Sequence, residues 1–387
     1  MNDGIQDLIE NYFSTGYTYP EIVHLMASDH GFTVSLRQLK RILRGRGLFR
    51  RKYFSSVEDV AAAIDEELEF NGSLLGYRLM YQRLASMYGI KTTYATVCQV
   101  LKVLDPEGVQ LRIAHRLRRR QYHVRGPNDV WHIDGNDKLL PYGFAIHGAI
   151  DGYSRRVLWF EVGRSNKDPL VTASYYLKCV RELDGTALTI RFDPGTENGM
   201  TADLQQVLSS GDCRVLYGKS TANQRIESWW SFLKRVCLSW WINFLKELIS
   251  TGVLDNSENI EIEAVRYFFG ELLRDELKNV ALQWNLHRIR QVRDSVSPAG
   301  RPQVLFHSPG LTGSEDFKYL VEAEDVDIIE DDLQLDPHPQ PLCSLEAKEI
   351  IEIIMDGPKN PINAFQALDM FQLFLARLQQ FYPLRHV

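Results

Sequence analysis

Residues 187–199 read ALTIRFDPGTENG and decide the fold prediction. Apolar and β-branched residues dominate up to Phe192, and Asp193 then opens a loop rich in Gly, Pro and Asn. This pattern predicts a strand over 187–192 that ends at a carboxylate. A plain turn would also explain Asp193, because Asp and Gly are common turn residues. The surrounding elements therefore decide between the two explanations.

The flanking sequence predicts alternating strands and helices from about residue 126. The other predicted strands are 130–133, 144–150, 157–162 and 213–217, and the predicted helices are 169–183, 200–209 and 222–244. The order is three strands, helix, strand, helix, strand, helix. This order is that of an α/β ribonuclease H-like core, a mixed five-stranded sheet with flanking helices. We expect helix-turn-helix units before it and a helical tail after it.

Three carboxylates, including Asp193, lie at the ends of predicted strands or on a predicted helix. Asp134 ends the first predicted strand, in WHIDG, and Glu227 lies on the last predicted helix, in NQRIESWWSFLK. Alone, each has an ordinary explanation as a turn residue or a solvated helix charge. Together they suit phosphodiester chemistry, which uses Mg²⁺ or Mn²⁺ bound by hard oxygen ligands. Asp137 is a rival for the first position, but it lies beyond the strand end.

Residues 126–302 resemble the DDE-type integrase core of retroviral integrases, retrotransposons and insertion-sequence transposases. The motifs also resemble integrase-core proteins of eukaryotic genomes that derive from mobile elements. The resemblance implies that Asp134, Asp193 and Glu227 are the catalytic residues and bind two Mg²⁺ or Mn²⁺ ions. It implies DNA integration, transposition or recombination by cleavage and strand transfer, with DNA and a homo-oligomer as partners. The 33 residues between Asp193 and Glu227 are slightly fewer than is typical of the family.

Two further residues match the transposase helix pattern. Asn223 and Lys234 share one helix face with Glu227, four and seven residues away. We expect Asn223 to orient the DNA strand and Lys234 to hold a phosphate. Asp151 lies in a hairpin turn similar to one in integrases, where the equivalent residue is not a metal ligand. No zinc module precedes the core, because Cys98 is the only cysteine before residue 126.

Residues 1–52 predict a helix-turn-helix-like DNA-binding unit of three short helices. The third begins after Ser35 and has an apolar face opposite Arg37, Lys40, Arg41 and Arg44. Basic side chains concentrated on one helix are typical of DNA recognition. A helical bundle with a basic exterior is the alternative.

The remaining boundaries follow from composition. A second helical unit at 56–108 closes on a turn at 105–108, and an Arg-rich linker at 109–125 follows, with Arg118, Arg119 and Arg120 expected to bind DNA. The catalytic core is predicted at 126–305. An acidic linker and C-terminal helices fill 306–387. Residues 313–336 contain ten acids and one Lys, so the net charge of −6 conceals basic segments near the N-terminus.

Composition also limits the functional classes. The sequence lacks an apolar run of the roughly 18 residues that a membrane span needs, and its acidic N-terminus is unlike a signal peptide. The expected location is the nucleus in a eukaryotic host and otherwise the cytoplasm. Two alternatives to a recombinase remain open: a domesticated DNA-binding protein with little or no catalysis, and a ribonuclease H-like nuclease that hydrolyses without joining.

Overall fold

The computed structural model describes residues 3–50, 53–69, 75–113, 123–218, 223–291, 297–335 and 339–381. The chain divides into two compact units, Met1–His123 with Asn285–Ser314, and Val124–Trp284 with Glu315–Val387. Within the described ranges, no helix is both long and apolar enough to cross a membrane.

The first unit begins with three short helices, as the sequence predicts. They are α1 (Asp3–Ser14), α2 (Tyr19–Ser28) and α3 (Leu36–Gly45). Their apolar faces meet in one core that includes Ile9, Ile22 and Leu39. The predicted start of α3 after Ser35 is confirmed, and Ser35 caps the helix, because its Oγ accepts a hydrogen bond from the Gln38 backbone N–H at 3.2 Å. Gln38 Oε1 accepts one from the Ser35 N–H at 2.8 Å, which completes a capping box.

A second group of helices follows in the same unit. It contains α4 (Val57–Leu68), α5 (Tyr77–Met87), α6 (Tyr94–Leu104) and α7 (Pro106–Ile113). The predicted turn at 105–108 is wrong, because α7 begins there. Asp105 Oδ1 accepts a hydrogen bond from the Gly108 N–H at 2.9 Å. Pro106 stands where a helix needs no N–H partner, so residues typical of a turn start a helix instead.

Residues Asn285–Ser314 pack with these N-terminal helices and contain α13 (Pro302–His307). Arg301 forms an ion pair with Glu21 at 3.2 Å, and Val304 lies in the core of the first three helices. The sequence-based boundary at 305 assigns most of this segment to the α/β core. Composition does not indicate which helices Arg301 and Val304 contact.

The second unit is built on a five-stranded sheet. Its strands are β1 (Trp131–Asn136), β2 (Ala145–Asp151), β3 (Val157–Gly163), β5 (Thr189–Phe192) and β6 (Arg214–Tyr217). They lie in the order β3-β2-β1-β5-β6. β2 is antiparallel to β1 and β3, and β5 is parallel to β1 and β6. The predicted mixed, ribonuclease H-like sheet is therefore confirmed.

The parallel pairing of β1 and β5 brings two carboxylates together. Trp131 lies opposite Ile190, and His132 lies opposite Arg191. Continued by two residues, this register sets Asp134 beside Asp193. Side chains alternate along a strand, so Asp134 and His132 project from the face opposite to that of Ile133.

Helices pack on the sheet. α8 (Pro169–Leu183) and α9 (Gly199–Leu208) share an apolar core with β1 and β5 that includes Ile133 and Ile190. α10 (Gln224–Leu233) contacts β1 and β2. It continues through a π-helical segment, Lys234–Leu238, into α11 (Ser239–Ser250), and α12 (Asn259–Leu286) follows.

The C-terminal part of this unit is more ordered than a linker. A two-residue strand, β4 (Gly185–Thr186), pairs with β7 (Tyr319–Leu320), and α14 (Ala323–Leu333) follows. Arg181 of α8 forms ion pairs of 2.6 Å with Asp327 and Glu330, which join α14 to the core. The predicted acidic linker therefore contains a helix.

The two predicted C-terminal helices are confirmed as α15 (Leu345–Ile354) and α16 (Ala364–Phe381). The Phe371 ring of α16 lies 6.4 Å from the Phe268 ring and 6.1 Å from the Phe269 ring of α12. The tail thus packs onto the α/β core through aromatic contacts.

Candidate active site

The three predicted carboxylates come from three different elements. Asp134 lies within β1, Asp193 directly follows β5, and Glu227 lies in the first turn of α10. Each side chain is half-buried. Because β1 and β5 are parallel neighbours and α10 contacts β1, the fold brings all three elements to one place.

The carboxylates influence one another electrostatically. Burial raises the pKa of Asp134 to about 7, and the negative charges of Glu227 and Asp193 add to the rise. Burial also raises the pKa of Glu227, reinforced by Asp193 and opposed by the Lys138 ammonium. Burial raises the pKa of Asp193 as well. The site therefore concentrates negative charge where water is partly excluded, which favours a bound cation or a proton.

Asp193 has an unsatisfied oxygen. Its Oδ1 is buried and has no hydrogen-bond partner among the described residues. A hydrogen bond closes the loop that follows Asp193, because Asn198 Nδ2 donates to the Asp193 backbone carbonyl at 3.2 Å. Gly195 allows the Glu197 side chain to fold back, since a Cβ at residue 195 would lie 2.0 Å from Glu197 Oε1. A buried carboxylate oxygen without a donor is costly unless something binds it.

Trp230 fixes the orientation of Asp134. Its indole Nε1–H donates to Asp134 Oδ2 at 2.8 Å, and this bond opposes the rise in the pKa of Asp134. Gly148 lies opposite Asp134 on β2, and a Cβ there would lie 3.3 Å from the Trp230 ring. The sequence motif contains Trp230, but its spacing does not indicate this contact.

Asn223 lies in the protein interior and not at the surface, where DNA would bind. Its side chain is 1% exposed. Its Oδ1 lies 2.6 Å from His132 Nδ1, and its Nδ2 donates to the Ile133 carbonyl at 3.0 Å. Burial, opposed by the bond to Asn223, lowers the pKa of His132 to about 3. A neutral histidine therefore lies two residues from Asp134 on the same strand.

Two neighbouring acids have other roles. Asp137 is exposed and lies beyond β1, and its Oδ1 accepts a hydrogen bond from Asn166 at 2.9 Å. Asp151 is fully buried and accepts hydrogen bonds from the Asn128 and Ser154 backbone N–H groups at 2.8 and 2.7 Å. Asp151 thus organises the hairpin between β2 and β3, as the sequence predicts.

The type of donor atom that the three carboxylates supply indicates a metal site, whereas their arrangement does not. In the part of the chain that the structure describes, no group of three or more His, Cys, Asp or Glu side chains is arranged to hold a metal ion. The three carboxylates nonetheless supply hard oxygen donors, the type that Mg²⁺ and Mn²⁺ prefer. The partnerless Asp193 Oδ1 fits the same use.

The predicted DNA-contacting residues have different surroundings. Arg37, Lys40, Arg41 and Arg44 are all exposed on α3, and Lys40 lies 5.6 Å from the Tyr19 ring. Lys234 is exposed at the end of α10. Arg118, Arg119 and Arg120 lie outside the described residues. Lys138 is an exposed cation near Glu227 that no sequence pattern indicated.

Comparisons with known proteins agree with this architecture. A family profile described as the integrase core domain matches residues 121–312, which include all three carboxylates. A second, described as the Clr5 domain, matches residues 3–50, which include α3. No curated protein matches the chain.

Thirty-five chains of solved structures are similar to this one. One belongs to the cryo-electron microscopy structure of the simian T-cell lymphotropic virus intasome in complex with PP2A regulatory subunit B56 gamma. It is 16% identical over 62% of this chain and 75% of that chain, with a TM-score of 0.33. By its sheet order and its match to the family profile, the segment 121–312 is an integrase core domain.

Proposed function

We propose that the chain is a metal-dependent polynucleotidyl transferase that cuts DNA and joins its ends to a target. The observation that carries this proposal is the convergence of Asp134, Asp193 and Glu227 from three elements of an integrase core. Burial and mutual repulsion raise the pKa of Asp134 to about 7, so the surrounding residues do not stabilise its ionised form. Such clusters are more common at functional sites than at structural ones.

The donors suit Mg²⁺ or Mn²⁺. Asp134, Asp193 and Glu227 would hold the ions, and Asp193 Oδ1 is a buried acceptor without a partner among the described residues. Bound ions supply Lewis acidity at the phosphate and stabilise the attacking and leaving oxygens. Without a cation the like charges repel one another, which favours a more open arrangement of the three carboxylates.

Other residues of the chain have supporting roles. Trp230 holds Asp134 in one orientation through its 2.8 Å hydrogen bond. Lys138 and Lys234 are exposed cations at the site and at the end of α10, and each suits a DNA phosphate. Phosphate contacts of this kind position the substrate and do not read its sequence.

The first unit would deliver the DNA. The exposed Arg37, Lys40, Arg41 and Arg44 form a stripe at positions i, i+3, i+4 and i+7 of α3. A basic helical stripe of this kind suits the major groove and its flanking phosphates. Gln38 on the same helix is held by its hydrogen bond with Ser35. We further propose that the active form is an oligomer, located in the nucleus if the host is eukaryotic.

The test is a reaction with labelled terminal DNA of the chain's own element, with Mn²⁺ and a target duplex. We expect joined products from the wild-type protein and none from Asp193→Asn, with equal DNA binding. Asp137→Asn is the matched control, because Asp137 is a nearby exposed acid held by Asn166. Cut but unjoined products would favour a nuclease. Binding without cleavage would favour a DNA-binding protein without catalysis.

A further inference from the structure

A pair of hydrogen bonds ties the start of α10 to β1 immediately beside Asp134. Asn223 precedes α10, and its side-chain amide reaches two consecutive residues of β1. Its Oδ1 meets His132 Nδ1 at 2.6 Å, and its Nδ2 donates to the Ile133 carbonyl at 3.0 Å. The Asn223 and His132 side chains are 1% and 0% exposed.

The chemistry of the amide fixes the direction of both bonds. A carbonyl oxygen only accepts, so the Asn223 nitrogen must face Ile133. The Asn223 oxygen then faces His132, and His132 Nδ1 must carry the proton. These two hydrogen bonds form a clamp between Asn223 and β1, and the clamp requires a proton on His132 Nδ1.

The clamp lies next to both Glu227 on α10 and Asp134 on β1. The Glu227 N–H donates to the Asn223 backbone carbonyl at 3.2 Å, so Asn223 begins the helical turn that carries Glu227. His132 and Ile133 are the two residues before Asp134 on β1. Arg225 provides a second anchor nearby, because its Nε donates to the Gly152 carbonyl at 3.0 Å. A shift of α10 would therefore break buried bonds.

We propose that His132 and Asn223 are positioning residues that hold Glu227 at the correct distance from Asp134 to share a metal ion. This inference rests on the proposed function of the three carboxylates. It assigns Asn223 to the protein interior and not to the DNA strand. Groups that orient metal ligands commonly change metal affinity by about 10- to 100-fold when they are removed.

The first test measures Mn²⁺ affinity by electron paramagnetic resonance, without DNA. We expect Asn223→Ala and His132→Gln to weaken Mn²⁺ binding by about 10- to 100-fold. His132→Asn is the matched control, because its amide nitrogen can replace Nδ1 as the donor, and we expect affinity within a few-fold of wild type. A purely structural role predicts that affinity follows thermal stability across the three variants. The positioning role predicts rescue by Asn at residue 132 and not by Gln.

The second test is spectroscopic. Selective ¹⁵N-histidine labelling of the metal-free chain would report the protonation of the ring nitrogens of its ten histidines. We expect one ring with a proton on Nδ1 to be assigned to His132 by its loss in His132→Asn. A His132 ring protonated only on Nε2 would overturn the clamp.

The two proposals fail in different ways. If the wild-type protein binds no Mn²⁺, the proposed metal function falls, and the metal role of the clamp falls with it. If the wild type binds Mn²⁺ and Asp193→Asn does not, while Asn223→Ala binds as tightly as wild type, the metal site stands. In that case only the positioning role is overturned.

Discussion

Replacing Asp134 with Asn should stabilise the second unit at high pH. The Asn oxygen can still accept the hydrogen bond from Trp230 Nε1, so the substitution removes the charge and keeps the contact. Burial, with the charges of Glu227 and Asp193, raises the pKa of Asp134 from its usual 3.8 to about 7. Ionisation of Asp134 therefore destabilises the folded state.

The direction of the pH effect follows from proton binding. Between pH 3.8 and about 7 the folded protein holds the Asp134 proton and the unfolded chain has lost it. The unfolded chain binds fewer protons, so the free energy of unfolding falls as pH rises across this window. Asn has no proton to lose, so we expect wild type and Asp134→Asn to be similar near pH 4. The variant should be the more stable above pH 7.

The size of the effect has an upper limit. A shift from 3.8 to about 7, at about 1.4 kcal/mol per pKa unit, sets this limit at about 4 kcal/mol. Asp134 is partly exposed, so solvent screening should reduce the difference to about 1–3 kcal/mol.

The assay is urea unfolding at several pH values with a chelator present, followed by tryptophan fluorescence. All seven tryptophans lie between Trp131 and Trp284, so this signal reports on the second unit alone. Asp137→Asn, at a nearby exposed carboxylate, serves as the control for the removal of one negative charge. The reasoning fails if the advantage of Asp134→Asn does not grow between pH 5 and 8.

Three further predictions concern other parts of the chain. Arg37→Ala and Arg41→Ala should each weaken DNA binding, measured by fluorescence anisotropy, and reduce the slope of log affinity against log salt by about 1. A wild-type slope in both variants would exclude phosphate contacts by these residues. Lys348→Ala on α15 is the control. Trp230→Phe removes the donor that lowers the pKa of Asp134, so Mn²⁺ binding should need a higher pH, and an unchanged pH midpoint would contradict this. Phe371→Ala should lower the free energy of unfolding by about 3–5 kcal/mol, measured by tryptophan fluorescence, because Phe371 is fully buried. Leu373→Ala on the same helix should lower it far less, because Leu373 is half-exposed.

The sequence predicts best those elements whose local pattern agrees with their packing. The strands that carry Asp134 and Asp193 and the helix that carries Glu227 have apolar stretches bounded by turn residues, and they form where expected. α7 was missed because Pro106 suits both a turn and the first turn of a helix. α14 was missed because its acidic composition resembles a linker, and the contact with Arg181 that holds it is distant in sequence.

The site was predictable in its carboxylates and not in their supports. Spacing correctly sets Asn223 one helical turn before Glu227, but spacing does not show that this side chain turns inward to His132 and Ile133. The bond between Trp230 and Asp134 joins residues far apart in the chain. Such contacts depend on how α10 lies on the sheet, which local patterns do not specify.

The most direct test of the central claim is the rate of Mn²⁺-dependent DNA cleavage in three charge-neutral variants. Asp134→Asn, Asp193→Asn and Glu227→Gln keep the size of each side chain and remove one negative charge. We predict that each falls to the rate seen without metal while its DNA affinity stays at the wild-type value. Wild-type cleavage by any one of the three would remove that residue from the site, and wild-type cleavage by all three would contradict the account.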